Sequence, residues 1–268
     1  MTAIALTIAG SDSGGGAGIQ ADLKTFSVLG VYGASAVTAV TAQNTRGVFK
    51  VEDISPDMVA AQVRAVLSDL DVDAIKIGMV SRVETIEEIA KGLRSFDRPI
   101  VLDPVMVATS GDQLLQKDAV AALKRDLVPL ARIITPNLPE AAALTDRPFA
   151  ENEADMARQA EMILDLGAGA VLMKGGHGKQ DYSTDLLFTS GGMVRLAAPR
   201  LSTTNDHGTG CTLAAAITSH LALGRPLEEA VRAAKNYLHG ALEAADRISV
   251  GQGRGPVHHF HAWWPPSR

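Results

Sequence analysis

Asn205-Asp206-His207-Gly208-Thr209-Gly210-Cys211-Thr212-Leu213-Ala214-Ala215-Ala216 joins a glycine-rich turn to an alanine-rich helix, and the rest of the chain can be read outward from it. Glycine at 208 and 210 allows backbone angles closed to other residues, so that successive N–H groups can converge on one point. The helix that follows adds free N–H groups and the positive end of its dipole, which makes the stretch a ready anion site. The plainer reading is a helix that starts after a flexible turn. Cys211 is the single cysteine of the 268 residues and stands at the helix start, where thiolate is favoured over thiol. Three roles compete for it: a nucleophile partnered by His207, as in a cysteine hydrolase; a wall beside a bound phosphate, facing the attacking hydroxyl; and a small packed core residue.

Upstream, strand and helix patterns alternate. Residues 3–9 are a short apolar run closed by Gly10, as in a strand buried on both faces. A glycine loop follows over 11–18, then an amphipathic helix over 19–29 capped by Gly30. The loop does not spell Gly-x-Gly-x-x-Gly. A second strand, about 34–40, leads to Thr41-Ala42-Gln43-Asn44 where a ribose-binding acid is wanted, so a dinucleotide fold is set aside. Ser55-Pro56 starts a helix running to about Asp69. Further strands are expected at 74–77, 100–104, 132–135 and 170–173, with helices at 83–95, 119–127, 153–166, 209–223 and 227–245. Ser190-Gly191-Gly192 predicts a hairpin between 185–188 and 193–196. Gly178-Lys179 has only a superficial likeness to a Walker loop, since Gln180 stands where Ser or Thr is needed. The alternation implies an α/β fold, a mostly parallel sheet covered by helices on both faces, in one domain spanning 1–268.

Ligands of such sheets bind beyond the carboxyl ends of the strands. Gly10, Gln43, Met79, Asp103, Asn137 and Lys174 all fall at or just after such ends. Asn137 and Glu140 are spaced either for a capping box or, beside Asp103, for holding hydrated Mg²⁺. An anion loop, a lysine, an aspartate and an Asn/Glu pair together make the kit of phosphoryl transfer. A cysteine hydrolase would leave Asp103, Asn137, Glu140 and Lys174 without a role. His258, His259 and His261 form the one histidine cluster, but no nearby acid or cysteine completes a metal site, so a packed or exposed tail is expected.

The net charge of −5 carries no basic stripe, which argues against nucleic acid. Charges interrupt every apolar run short of membrane-spanning length, and the N-terminus lacks a secretory pattern. One cysteine permits no intrachain disulfide, and a cytoplasmic protein is expected.

The chain closely resembles the hydroxymethylpyrimidine/phosphomethylpyrimidine kinases of thiamine biosynthesis. The likeness rests on Ala9-Gly10-Ser11-Asp12, Gly14 through Thr25, Lys76-Ile77-Gly78-Met79, Asp103-Pro104-Val105-Met106, Thr135 through Ala141, Met173-Lys174-Gly175-Gly176-His177, His207 through Thr212 and the Gly-Pro-Val-His-His-Phe-His tail. The resemblance implies a ribokinase-like fold with a small β lid, a homodimer, and an enzyme that phosphorylates 4-amino-5-hydroxymethyl-2-methylpyrimidine and then its monophosphate with ATP. It also implies that Gly208, Thr209, Gly210 and Cys211 form the anion hole, with Thr209 and Gly210 also on the nucleotide. Lys174 would contact ATP phosphate, and Asp103, Asn137 and Glu140 would organise Mg²⁺. The pyrimidine would lie near Gly10, Asp12, Gln43, Met79 and Val105, with Gln43 bonding the aminopyrimidine edge. Sugar kinases of the wider superfamily carry an aspartate base where this chain has Cys211. Asp206 departs from the usual Asn-Thr-His, and an outward orientation is expected for it. The rival activity on the same fold is a pyridoxal kinase.

Overall fold

The structure, a computed structural model, describes residues 1–106, 117–176 and 181–265. Six strands run parallel: β1 (Ile4–Asp12), β2 (Tyr32–Asn44), β4 (Ala74–Ile77), β5 (Ile100–Leu102), β6 (Ile133–Ile134) and β7 (Val171–Met173). Three antiparallel strands extend the two ends: β3 (Gly47–Asp53) beyond β2, and β8 (Tyr182–Thr189) with β9 (Gly192–Pro199) beyond β7. All nine lie in one sheet, ordered β3-β2-β1-β4-β5-β6-β7-β8-β9.

Strand alternation builds two cores. Leu6, Ile8, Ile75, Ile77, Ile100 and Leu102 face α2 (Pro56–Leu67), α3 (Val83–Leu93), α4 (Lys117–Ala122), α5 (Leu138–Thr145) and α6 (Glu153–Asp165). The residues between them, among them Ala74 and Val101, face α7 (Thr209–Ala222) and α8 (Leu227–Glu243). On that same face α1 (Gly18–Val28) sets Phe26 against Ala5 and Ala215. The α/β architecture expected from the sequence, a mostly parallel sheet covered by helices on both faces, is present, and Thr41, Gln43 and Val48 of the β2–β3 hairpin line the cavity described below.

The structure departs from the sequence reading in four places. β1 runs through Gly10 to Asp12, with a bulge between Ala9 and Ser11, so the strand itself delivers Asp12 to the site. β2 continues to Asn44 and turns into β3, which carries little alternation because its residues 49–53 are all exposed. The expected helix over 119–127 ends at Ala122 and passes through a π turn (Leu123–Leu127) and a 3-10 turn (Val128–Leu130), where Pro129 offers no N–H to continue an α-helix. Ser55 occupies the N-cap of α2 but makes no side-chain cap bond, leaving Pro56 as the helix-starting signal. Among the described residues no helix is long and apolar enough to cross a membrane.

Candidate active site

The site lies at the carboxyl ends of the parallel strands, where a cavity of about 1080 Å³ opens. Single small-molecule pockets measure roughly 300–1,000 Å³, so this one stands at the top of that range. All thirteen residues expected at the site line it: Gly10, Asp12, Gln43, Met79, Asp103, Val105, Asn137, Glu140, Lys174, Gly208, Thr209, Gly210 and Cys211. His177, part of the resemblance, lies outside the described residues.

The anion loop is built as its sequence requires. Gly208, at φ +79, caps α7, and a Cβ there would stand 1.9 Å from the Gly16 carbonyl oxygen. Only glycine lets this turn pack on the first glycine loop. Thr209 N–H donates to Asp206 O at 3.3 Å and Thr212 N–H to Gly208 O at 2.8 Å. The amides of Gly210 and Cys211 fall between them, in the part of a helix start that has no carbonyl of its own to bond. A Cβ on Gly210 would sit 3.4 Å from Lys174 Nζ and 3.7 Å from Asp103 Oδ2, so lysine, aspartate and helix start share one point.

Neighbouring strand ends bring the charges together. Lys174 N–H donates to Pro136 O at 2.8 Å, which lays the end of β7 beside Asn137. Lys174 Nζ is 2.9 Å from Asp103 Oδ1 and 3.7 Å from Glu140 Oε2. Thr135 Oγ1 donates to the same Asp103 oxygen at 3.0 Å. Burial opposes ionisation of Asp103, but Lys174 and Lys76 outweigh it and hold the carboxyl below its ordinary range. Burial pushes Glu140 up to about 7, with Asp103 adding and Lys174 opposing. Burial also disfavours the Lys174 ammonium, yet Asp103 and Glu140 keep it protonated.

Asn137 and Glu140 do form a capping box: Glu140 N–H donates to Asn137 Oδ1 at 2.9 Å, and Asn137 N–H to Glu140 Oε2 at 2.7 Å. The cap fixes Glu140 where it meets Lys174. These bonds use Asp103 Oδ1 and Glu140 Oε2, leaving Asp103 Oδ2 and Glu140 Oε1 outside them. Among the described residues no group of three or more His, Cys, Asp or Glu is arranged to hold a metal. Two carboxylates with free oxygens fit hydrated Mg²⁺ arriving on nucleotide phosphates, and they do not make an all-protein cage.

Asp12 organises the first loop. Its carboxylate accepts N–H bonds from Gly14 (2.8 Å), Gly16 (3.0 Å) and Ala17 (2.8 Å) and lies 2.9 Å from His207 Nε2. Burial opposes its ionisation, but the bonds to His207 and to the loop amides hold it below its ordinary range. His207 is thus engaged by Asp12, with Gln43 Nε2 3.4 Å from the same ring nitrogen. Gln43 Oε1 accepts from Thr41 Oγ1 at 3.1 Å. Burial lifts the Cys211 thiol to about 11, and Asp22 and Asp103 add to the rise, while Lys76 and the Gly18 backbone oppose it. The favour that a helix start gives to thiolate is overridden, and the sulfur keeps its proton at neutral pH. Asp206 is gripped through both oxygens by Arg254 at the cavity rim, which matches its charge.

Several lining residues escaped the sequence reading. Ala198, Pro199, Leu201, Leu238, His239 and Leu242 line the cavity, as does Lys235, which pairs with Asp185 at 2.5 Å. They come from β9, the segment after it and α8, which the sequence reading gave only as a hairpin strand and a helix. Lys76 also lines the wall, and it did leave a signal, as the one charge inside the apolar strand Ala74–Ile77.

Known proteins are similar to this chain in sequence and in fold. A Rhizobium meliloti hydroxymethylpyrimidine/phosphomethylpyrimidine kinase is 68% identical over 264 residues, covering 98% of this chain and 99% of that protein. The crystal structure of a Clostridium difficile phosphomethylpyrimidine kinase superposes with a TM-score of 0.78 at 48% identity, over 89% of this chain and 98% of that one. An ADP complex of Bacillus subtilis pyridoxal kinase matches with a TM-score of 0.90 at 38% identity, over 98% and 99%. A family model described as phosphomethylpyrimidine kinase matches residues 12–258, from the aspartate that ties the first glycine loop to the buried tail. Together with the convergence of strand-end charges on one anion loop, these matches place the chain in the phosphomethylpyrimidine kinase family.

Proposed function

We propose that this protein transfers the terminal phosphate of ATP to 4-amino-5-hydroxymethyl-2-methylpyrimidine, and then phosphorylates the monophosphate to the diphosphate. The observation that carries the reading is the meeting of Lys174, Asp103, Glu140 and the start of α7 at one point of a large cavity. Among the lining residues, Pro199, Leu201, Leu238 and Leu242 offer apolar surface that suits a nucleotide base, and Gly10, Gln43, Met79 and Val105 suit a small flat ring. Gln43, with its amide on the β2–β3 hairpin, is the polar group available to the aminopyrimidine edge.

In this account Lys174 and the two helix-start amides receive the transferring phosphate, and their charge and orientation are set before the substrates arrive. Mg²⁺ carried by ATP would neutralise phosphate charge when bound, held from the protein side by Asp103 and Glu140. Cys211 keeps its proton at neutral pH. The acceptor oxygen is therefore activated by position and by the positive field around it, as is general in phosphoryl transfer, more than by a standing thiolate.

Residues 1–268 act as a single catalytic domain, which the one continuous sheet supports. Two copies pair through the β2–β3 hairpin, a reading supported by exposed Tyr32, Val40, Phe49 and Val51. The enzyme works in the cytoplasm, in keeping with its one free thiol. A coupled ADP-release assay tests the function: hydroxymethylpyrimidine and its monophosphate each release ADP faster than pyridoxal does. Preference for pyridoxal would move the assignment to the rival activity, which the match to pyridoxal kinases makes a concrete alternative.

A further inference from the structure

Behind the anion loop lies a charged pair that the scheme above does not use. Lys76 and Asp22 have no exposed side-chain surface, and Lys76 Nζ is 2.9 Å from Asp22 Oδ2. Thr7 Oγ1 donates to that same oxygen at 2.6 Å. Asp22 Oδ1 has no hydrogen-bond partner. Strand alternation explains the placement: Thr7 and Lys76 are register partners on β1 and β4, on the face covered by α1 and α7. Buried ion pairs add little to stability compared with apolar residues of similar volume, so folding alone does not call for this one. The neighbours Ile75 and Ile77 are apolar throughout. A Cβ on Gly78 would be 2.6 Å from Lys76 Nζ, so the ammonium reaches along the strand toward the cavity, whose wall it forms.

We propose that Lys76 is a positioning residue for phosphoryl transfer: Asp22 and Thr7 hold its ammonium in the wall of the cavity that Cys211 also lines, so that its charge acts there on the sulfur and on the acceptor oxygen. The proposal rests on the kinase reading for its effect on rate, but the field at Cys211 can be measured without substrate. The charged groups acting on that sulfur are Lys76, Asp22, Asp103 and Lys174, with the Gly18 backbone, and the pull of Lys76 exceeds the opposition of Asp22. Because the chain has one cysteine, alkylation by iodoacetamide reports Cys211 alone.

The test compares alkylation rates at pH 9 and kcat for wild type, Lys76→Met/Asp22→Leu and Asp22→Asn. The double variant replaces the pair by apolar residues of similar volume, and its fold is checked by thermal melting. The expected result is slower alkylation in the double variant than in wild type, with kcat down and KM for ATP within threefold. Asp22→Asn keeps the ammonium and removes its counter-charge, so its alkylation is faster than wild type. Equal alkylation rates in all three proteins would overturn the proposal, as would a double variant with wild-type kcat. Absence of kinase activity in the wild type with an intact alkylation pattern would instead count against the assigned reaction.

Discussion

Replacing Lys174 by methionine removes the cation shared by two buried carboxylates. Its Nζ lies 2.9 Å from Asp103 and 3.7 Å from Glu140. At an effective dielectric of about 20 these contacts are worth about 6 and about 4 kcal/mol. Desolvating the ammonium takes back several kcal/mol, and deletion of one partner from a buried pair costs about 3–5 kcal/mol net. The loss depends on pH. Glu140, at about 7 in the wild type, is protonated at pH 5 and ionised at pH 8, so only at the higher pH does the variant lose both contacts. In the variant Glu140 rises further, and the folded state must take up a proton at pH 8. Urea unfolding should therefore show a loss of about 3–5 kcal/mol at pH 8 and a clearly smaller one at pH 5. In the ADP-release assay kcat should fall by about 10²–10³, the cost of removing a preorganised group on developing charge. An unchanged urea midpoint at pH 8 together with kcat within threefold of wild type would refute this reasoning.

Other substitutions probe the same account. Gly208→Ala puts a side chain at φ +79 and 1.9 Å from Gly16 O, so the helix start must shift, and a displacement near 1 Å should lower kcat about 10²-fold with folding retained on circular dichroism. Glu140→Gln keeps the cap acceptor but cannot ionise. Because burial raises the native carboxyl from 4.5 to about 7, wild-type stability falls as pH climbs through that interval, and the variant should gain on it by about 3 kcal/mol by pH 8 in denaturant titrations. His259 sits 3.0 Å from Thr212 Oγ1, one residue past Cys211, and burial lowers it to about 3. Its contribution is complete above pH 6.5 and is lost as pH falls toward 3, so His259→Asn should flatten the acid limb of the Tm-against-pH curve.

The parallel core was legible because its strands are short apolar runs and α1, α6 and α7 are each closed by a glycine, Gly30, Gly167 and Gly224. Strand ends such as Asp103, Asn137 and Lys174 could be placed at the ligand crevice for the same reason, since parallel topology sends every carboxyl end to one side. What stayed hidden depends on packing between distant segments. Asp12 seemed a pocket residue, and only the folded chain shows its carboxylate holding three loop amides and His207. The acidity of Cys211 could not be read from its place at a helix start, because burial and the carboxylates of Asp22 and Asp103 come from elsewhere. The apolar lining residues of β9 and α8 gave no motif, since apolar contact asks for shape and not for particular residues.

The central claim is that strand-end charges and one anion loop hand phosphate from a nucleotide to a ring alcohol, twice on the same molecule. Phosphorus NMR of the protein with ATP, Mg²⁺ and hydroxymethylpyrimidine follows the transfer directly. The account predicts a phosphomonoester signal on the pyrimidine that gives way to the paired signals of a diphosphate as ADP accumulates. Conversion of ATP to ADP and free phosphate alone, with no phosphorus on the pyrimidine, would contradict it.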